Sequence, residues 1–125
     1  MRLFSTTSSL VRFALFGVAL AVCSLPASAY ELLMIEQPIC PYCKRFDVEV
    51  NYVESDTSKH LPLRRVQLND PWPEDLAGIP YDMLTPTFVL VQDGKELGRL
   101  RGYPGREQFW ELLNKLLEEK NIPLK

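Results

Sequence analysis

The chain has 125 residues and a mass of 14.4 kDa, room for one domain and too little for a multidomain enzyme. Arg2 and Arg12 are the only charged side chains in the first 29 residues, so the remainder sets 12 basic against 16 acidic groups, a net charge of −4. A chain of that sign lacks the electrostatic footprint of a nucleic-acid binder, and no nucleic acid is expected as a partner.

Met1 to Ala29 reads as a secretory signal peptide. Arg2 and Arg12 bracket a polar start, Phe13 to Cys23 is apolar, and Ala27-Ser28-Ala29 has the small-x-small pattern of a cleavage site. The apolar run is about a dozen residues, short of the ~20 that cross a bilayer. A retained anchor is the other reading of this segment. A lipoprotein box at Leu20-Ala21-Val22-Cys23 is disfavoured by the large Val22 before the cysteine. Cleavage after Ala29 leaves a soluble domain, residues 30–125.

Tyr30 to Glu36 is a short apolar run closed by Gln37-Pro38 and predicts a buried strand. After Cys40-Pro41-Tyr42-Cys43, the apolar residues Tyr42, Phe46, Val50 and Val53 recur at helical spacing among charged ones, predicting a helix with Cys40 at its start. Glu54 to His60 reads as a polar turn, and Leu61 to Leu68 alternates as a second strand. Asn69 to Tyr81 holds three prolines and a glycine, with room for a turn or two of helix near Glu74 to Ala77. Thr87 to Val91 is the strongest strand signal, and Asp93-Gly94 turns it into a second strand, Lys95 to Arg101. Beyond Gly102 to Gly105, Phe109, Leu112, Leu113, Leu116 and Leu117 form an apolar stripe on a last helix. The order β-α-β-α-β-β-α predicts an α/β domain in which a mixed four-stranded sheet, one pair parallel by a right-handed crossover and one pair a hairpin, is flanked by helices.

Three cysteines are present, and Cys23 leaves with the signal. The remaining pair, Cys40 and Cys43, closes too small a loop to stabilise a fold by constraining the unfolded chain, so its purpose is chemical. A thiolate attacks a disulfide, and a helix N-terminus favours a thiolate through its unpaired N–H groups and dipole. Cys40 is therefore the candidate nucleophile, and Cys43, one turn on, the resolving thiol. Pro41 suits the first helical turn, and Lys44 and Arg45 add positive charge. Tyr42 is expected to be exposed beside Cys40 and to touch substrate. A zinc site needs about four ligands, and the one histidine, His60, falls in a loop, so no metal or other cofactor is expected. A different class of function, a Cu(I) or persulfide carrier, would use the two thiols as ligands, with Met34 or Met83 adding a thioether to copper. Tyr103, Phe109, Trp110 and Trp72 read equally as a partner surface or as packing, with Phe109 in the core stripe.

The Cys-Pro-Tyr-Cys after a strand, with Thr85-Pro86-Thr87 leading into a hairpin and Gly102 before the final helix, resembles the thioredoxin superfamily over residues 30–125. The resemblance implies a cis peptide bond at Pro86, packed against the cysteine pair, and a main chain at Thr85 that receives substrate. The family's acidic residue six positions before the first cysteine is here Met34. Glu36, four before Cys40, is the candidate for proton transfer instead, and Arg65 falls where thioredoxin carries a basic residue. Pro41-Tyr42 is the glutaredoxin dipeptide, but the lysine before that motif and a second diglycine are missing, against a glutathione-dependent enzyme.

Within the superfamily, Met34 to Cys43, Leu63 to Leu68, Thr85 to Gly94 and Gly102 to Trp110 are similar to the small periplasmic thioredoxins of bacterial sulfur-oxidation (Sox) systems, the SoxS type. That similarity implies a periplasmic, monomeric reductase of protein disulfides. Its substrate would be the sulfur-carrier protein of a Sox system, and its electron donor a membrane thiol transporter of the CcdA kind. A Dsb-like oxidase or isomerase and a glutaredoxin-like enzyme are the alternatives within the same chemistry.

Overall fold

In a computed structural model, residues 30–124 are described. The expected signal peptide, Met1 to Ala29, lies outside them. Tyr30–Glu36 forms β1, as its apolar run predicts, and Pro41–Val50 forms α1. A second helix, α2, spans Asp56–His60 and leads into β2, Leu63–Gln67. β3 is Thr87–Gln92, β4 is Lys95–Arg101 and α3 is Arg106–Glu119. The sheet order is β2-β1-β3-β4, with β1 parallel to β2 and antiparallel to β3, and β3 antiparallel to β4.

The central strands β1 and β3 are buried on both faces. One face carries Leu32, Met34, Phe88 and Leu90 against Phe46 and Val50 of α1 and Phe109, Leu113, Leu116 and Leu117 of α3. The other packs Leu33, Ile35, Val89 and Val91 on Val66, Leu68, Leu76 and Ile79. Phe46 lies at the centre of the first layer, its ring 4.8 Å from Phe88, 5.1 Å from Phe109 and 5.7 Å from Tyr103. It fixes α1 on the sheet through aromatic contacts that favour tilted and edge-on geometry.

Three expectations change. The helix at the cysteines ends at Asn51, whose left-handed backbone (φ 45°) turns the chain, so Val53 leaves the apolar face and is exposed. Residues 54–60 are not a plain turn. A 3-10 turn at Tyr52–Glu54 is followed by α2, for which the Ser55 hydroxyl accepts the Ser58 N–H as a cap. On α3 the stripe holds without Leu112, which points outward. The short helical segment expected near Glu74 is a 3-10 turn, Glu74–Leu76.

The β3–β4 hairpin turns on Asp93 and Gly94, both at positive φ, the two-residue geometry that matches strand twist. A side chain at Gly94 would place its Cβ 2.5 Å from the Asp75 carbonyl oxygen, so glycine is required there.

Candidate active site

Cys40 is the N-cap residue of α1, with extended backbone (φ −137°, ψ 96°), and Pro41 takes the first helical turn. A proline there gives up no hydrogen bond, because the first N–H groups of a helix have no partner within it. The Cys40 Sγ itself accepts the Cys43 N–H at 3.2 Å, so one of those free donors points at the sulfur. The two cysteines are joined by a disulfide with Cα atoms 5.2 Å apart. Both are 4 % exposed, while Ile39 and Tyr42 beside them are 90 % and 54 % exposed. The sulfurs are thus reached at the bottom of a surface whose rim is apolar, and Tyr42 is exposed as its place between the cysteines predicts.

The peptide bond between Thr85 and Pro86 is cis, the geometry implied by the family resemblance. Pro86 is buried and Thr85 half-buried. Gly102 donates its N–H to the Pro86 carbonyl at 2.8 Å, drawing the turn after β4 alongside. Tyr42, Leu84, Thr85, Arg101, Gly102, Tyr103 and Pro104 line one groove of about 340 Å³. Tertiary folding therefore brings Tyr42, from between the cysteines, to the same groove as Thr85, 43 positions later in the chain.

Arg45 has its contacts elsewhere on α1 and on the turn after β4. Its guanidinium pairs with Glu49 at 3.1 Å and stands over the rings of Tyr42 and Tyr103 at 5.9 and 5.7 Å. Tyr103 donates to Glu49 at 2.6 Å. Desolvation, then the hydrogen bond to the Glu49 carboxylate, push the Tyr103 phenol up to about 12, and the same bond is the main cause that holds Glu49 below its ordinary range.

Glu36, whose side chain is 16 % exposed, pairs with Arg65 at 3.2 Å and accepts the Gln67 amide at 3.0 Å. Arg65 also binds Asp47 of α1 at 2.6 Å and lies 3.4 Å from the Met34 sulfur. The three positions singled out for proton transfer or for thioredoxin's basic residue, Met34, Glu36 and Arg65, thus form one cluster at the β1–β2 pair. Met34 is fully buried and Met83 exposed. His60 ends α2 in solvent. Of the four aromatics in question, Phe109 and Tyr103 are core, Trp110 stacks on Tyr52, and Trp72 packs against the second layer beside Tyr81.

A family model described as thioredoxin-like domain matches residues 26–117. The chain belongs to the thioredoxin-like family. This thioredoxin-like protein is similar to the periplasmic thioredoxin SoxS from Paracoccus pantotrophus, a crystal structure of the reduced form. The two share 42 % identity over 73 % of this chain and 98 % of that one, with a TM-score of 0.67. A thioredoxin from Thermus thermophilus (23 % identity, 70 % of this chain and 72 % of that one, TM-score 0.50) shares the fold. So does thioredoxin-2 of a malaria parasite, described as a component of protein secretion machinery (18 % identity, 70 % and 84 %, TM-score 0.51). No curated protein matched. The fold, the family and the bonded Cys40–Cys43 pair make this thioredoxin-like protein a thiol-disulfide oxidoreductase.

Proposed function

We propose that this chain is a periplasmic reductase of protein disulfides. The Cys40 thiolate attacks one sulfur of a substrate disulfide, the substrate S–S bond breaks, and the first substrate thiolate leaves from a mixed disulfide at Cys40. Cys43, having lost its proton, attacks the Cys40 sulfur. The second substrate thiolate leaves, and the Cys40–Cys43 bond holds the two oxidising equivalents until a dithiol donor reduces it. Glu36 accepts the Cys43 proton, directly or through water. Its support is its low exposure and its place at the end of the strand that leads to the motif. Thr85 offers its main chain to the substrate strand beside Pro86, and Tyr42 and Pro41 contact that strand from the helix side.

The observation that carries this reading is the Cys-Pro-Tyr-Cys disulfide on a helix N-terminus, in a chain 42 % identical to a periplasmic thioredoxin over almost all of that protein. The same likeness supports an exported location, with Met1 to Ala29 as the signal. By the family resemblance of its motifs, the chain's substrate is the sulfur-carrier protein of a Sox system and its donor a membrane thiol transporter of the CcdA kind.

Direction is a difference of potentials, and 30 mV is worth about 1.4 kcal/mol for a two-electron couple. The test is the equilibrium potential of the Cys40–Cys43 pair, titrated against dithiothreitol and glutathione buffers. A value near about −270 mV supports a reductase; one near about −120 mV makes the protein an oxidant and rejects the proposal.

A further inference from the structure

The chain reaches the cis bond through Pro80 to Thr85, a segment with no helix or strand of its own. Such a loop would ordinarily be mobile, yet this one is fastened along its length to the edge strand β4. Arg99 donates to the Pro80 carbonyl at 2.8 Å. The Asp82 carboxylate, 13 % exposed, receives Arg101 through Nε at 2.5 Å and Nη2 at 3.1 Å, and Arg99 stands 3.7 Å from it. Its Oδ1 also accepts the Leu84 N–H at 3.0 Å. The Thr87 hydroxyl donates to the Leu84 carbonyl at 2.6 Å. Both main-chain groups of Leu84 are thus occupied, whereas the Thr85 main chain makes no hydrogen bond to the described residues. The Asp82 carboxylate thus holds the Met83–Leu84 peptide, and the Thr87 hydroxyl the Leu84 carbonyl of the peptide next to the cis bond.

The geometry points to Asp82 as a positioning residue for substrate: by tying the Leu84 N–H to Arg101 and Arg99, it holds the Thr85 main chain unpaired at the groove wall, ready to bond a substrate strand. This rests on the reading that Thr85 pairs with substrate. The chemical reason is preorganisation. A loop already ordered before binding does not lose that freedom on binding, so the anchor affects affinity and leaves the sulfur chemistry alone. The Arg101 hydrogen bond holds Asp82 below the usual carboxylate range, so the clamp stays charged further into acid than a free aspartate would.

The test compares Asp82→Ala and Asp82→Asn with the parent in reducing two oxidants: a disulfide-bonded peptide, and the same peptide N-methylated on either side of its cysteine. Reaction with dithiothreitol and the equilibrium potential serve as readouts that need no strand pairing. For Asp82→Ala, KM for the plain peptide is expected to rise about tenfold with kcat, dithiothreitol rate and potential unchanged. Asp82→Asn keeps an acceptor for Leu84 and is expected to show a smaller rise. An unchanged KM, or an equal loss towards peptide and dithiothreitol, overturns the role of Asp82. If Asp82→Ala does not fold, Asp82→Asn, which removes the charge from the ion pair, carries the same comparison. N-methylation that leaves the parent's KM unchanged overturns the Thr85 reading and this inference with it. N-methylation that raises KM in the parent while Asp82→Ala does not overturns this inference alone.

Discussion

The Tyr103 hydroxyl donates to the Glu49 carboxylate at 2.6 Å, tying the helix that begins at the cysteines to the turn that follows β4. Those two segments contribute Tyr42 and Gly102 to Pro104 to the groove beside Thr85. The bond therefore holds two of the groove's walls together, and Arg45, between the two tyrosine rings, completes the link.

That bond makes an alkaline prediction. Tyr103 is pushed up to about 12 in the folded protein, against about 10 in an unfolded chain. Tyr52, buried and donating to the Leu61 carbonyl, is raised as well, by desolvation. A raised folded pKa means stability that is complete below pH ~10 and is lost as pH rises towards and through the folded value. Urea unfolding midpoints should therefore fall above pH 10, and Tyr103→Phe should flatten part of that fall. An identical pH dependence in the parent and Tyr103→Phe would reject the assignment.

Cys40 and Cys43 should fail in different ways. Cys40→Ser is expected to abolish turnover, whereas Cys43→Ser should form a mixed disulfide with substrate that gel electrophoresis without reductant retains. With Glu36→Gln, the mixed disulfide should accumulate in the otherwise intact enzyme, and the rise of rate with pH should shift to more alkaline values. An unmoved pH profile would leave Glu36 as a structural partner of Arg65 and Gln67.

Tyr42 is expected to matter for partners and little for folding. Its ring is more than half exposed, so Tyr42→Ala should change stability by no more than about 0.5 kcal/mol while altering relative KM among disulfide substrates. Equal loss of stability and activity would place the ring in the fold instead.

Gly98 tests the packing of β4 on α3. A Cβ there would fall 2.6 Å from a Leu116 methyl, so Gly98→Ala should destabilise by about 1–3 kcal/mol with the Cys40–Cys43 potential unchanged. Because the obstacle is the end of a side chain, adding Leu116→Ala should remove the clash, giving a double mutant less destabilised than the two single changes summed. Additive losses would show that the contact is not the cause.

Much of the domain was legible because its signals are local. β1 ends at Glu36 where Gln37-Pro38 stops the apolar run, the Asp93-Gly94 turn is set by backbone preference, and the redox pair is adjacent in sequence. Errors fell where a local pattern was outweighed. Val53 keeps helical spacing, but Asn51 in the left-handed region ends the helix first. The five residues of α2 are too few for periodicity to register, and its cap is a single serine.

By itself the sequence determined the four strands in chain order, the first and last helices and the Cys40–Cys43 pair, since these depend on neighbours within one or two turns. Which groups surround the sulfurs was decided by tertiary structure, because contacts such as Glu49 with Tyr103, or Asp82 with Arg101, join residues that no short window contains. Charge alone did not reveal them. Arg45 looked like a cation for Cys40 and serves Glu49 and two tyrosine rings instead, a choice made only when α1 docks against the turn after β4.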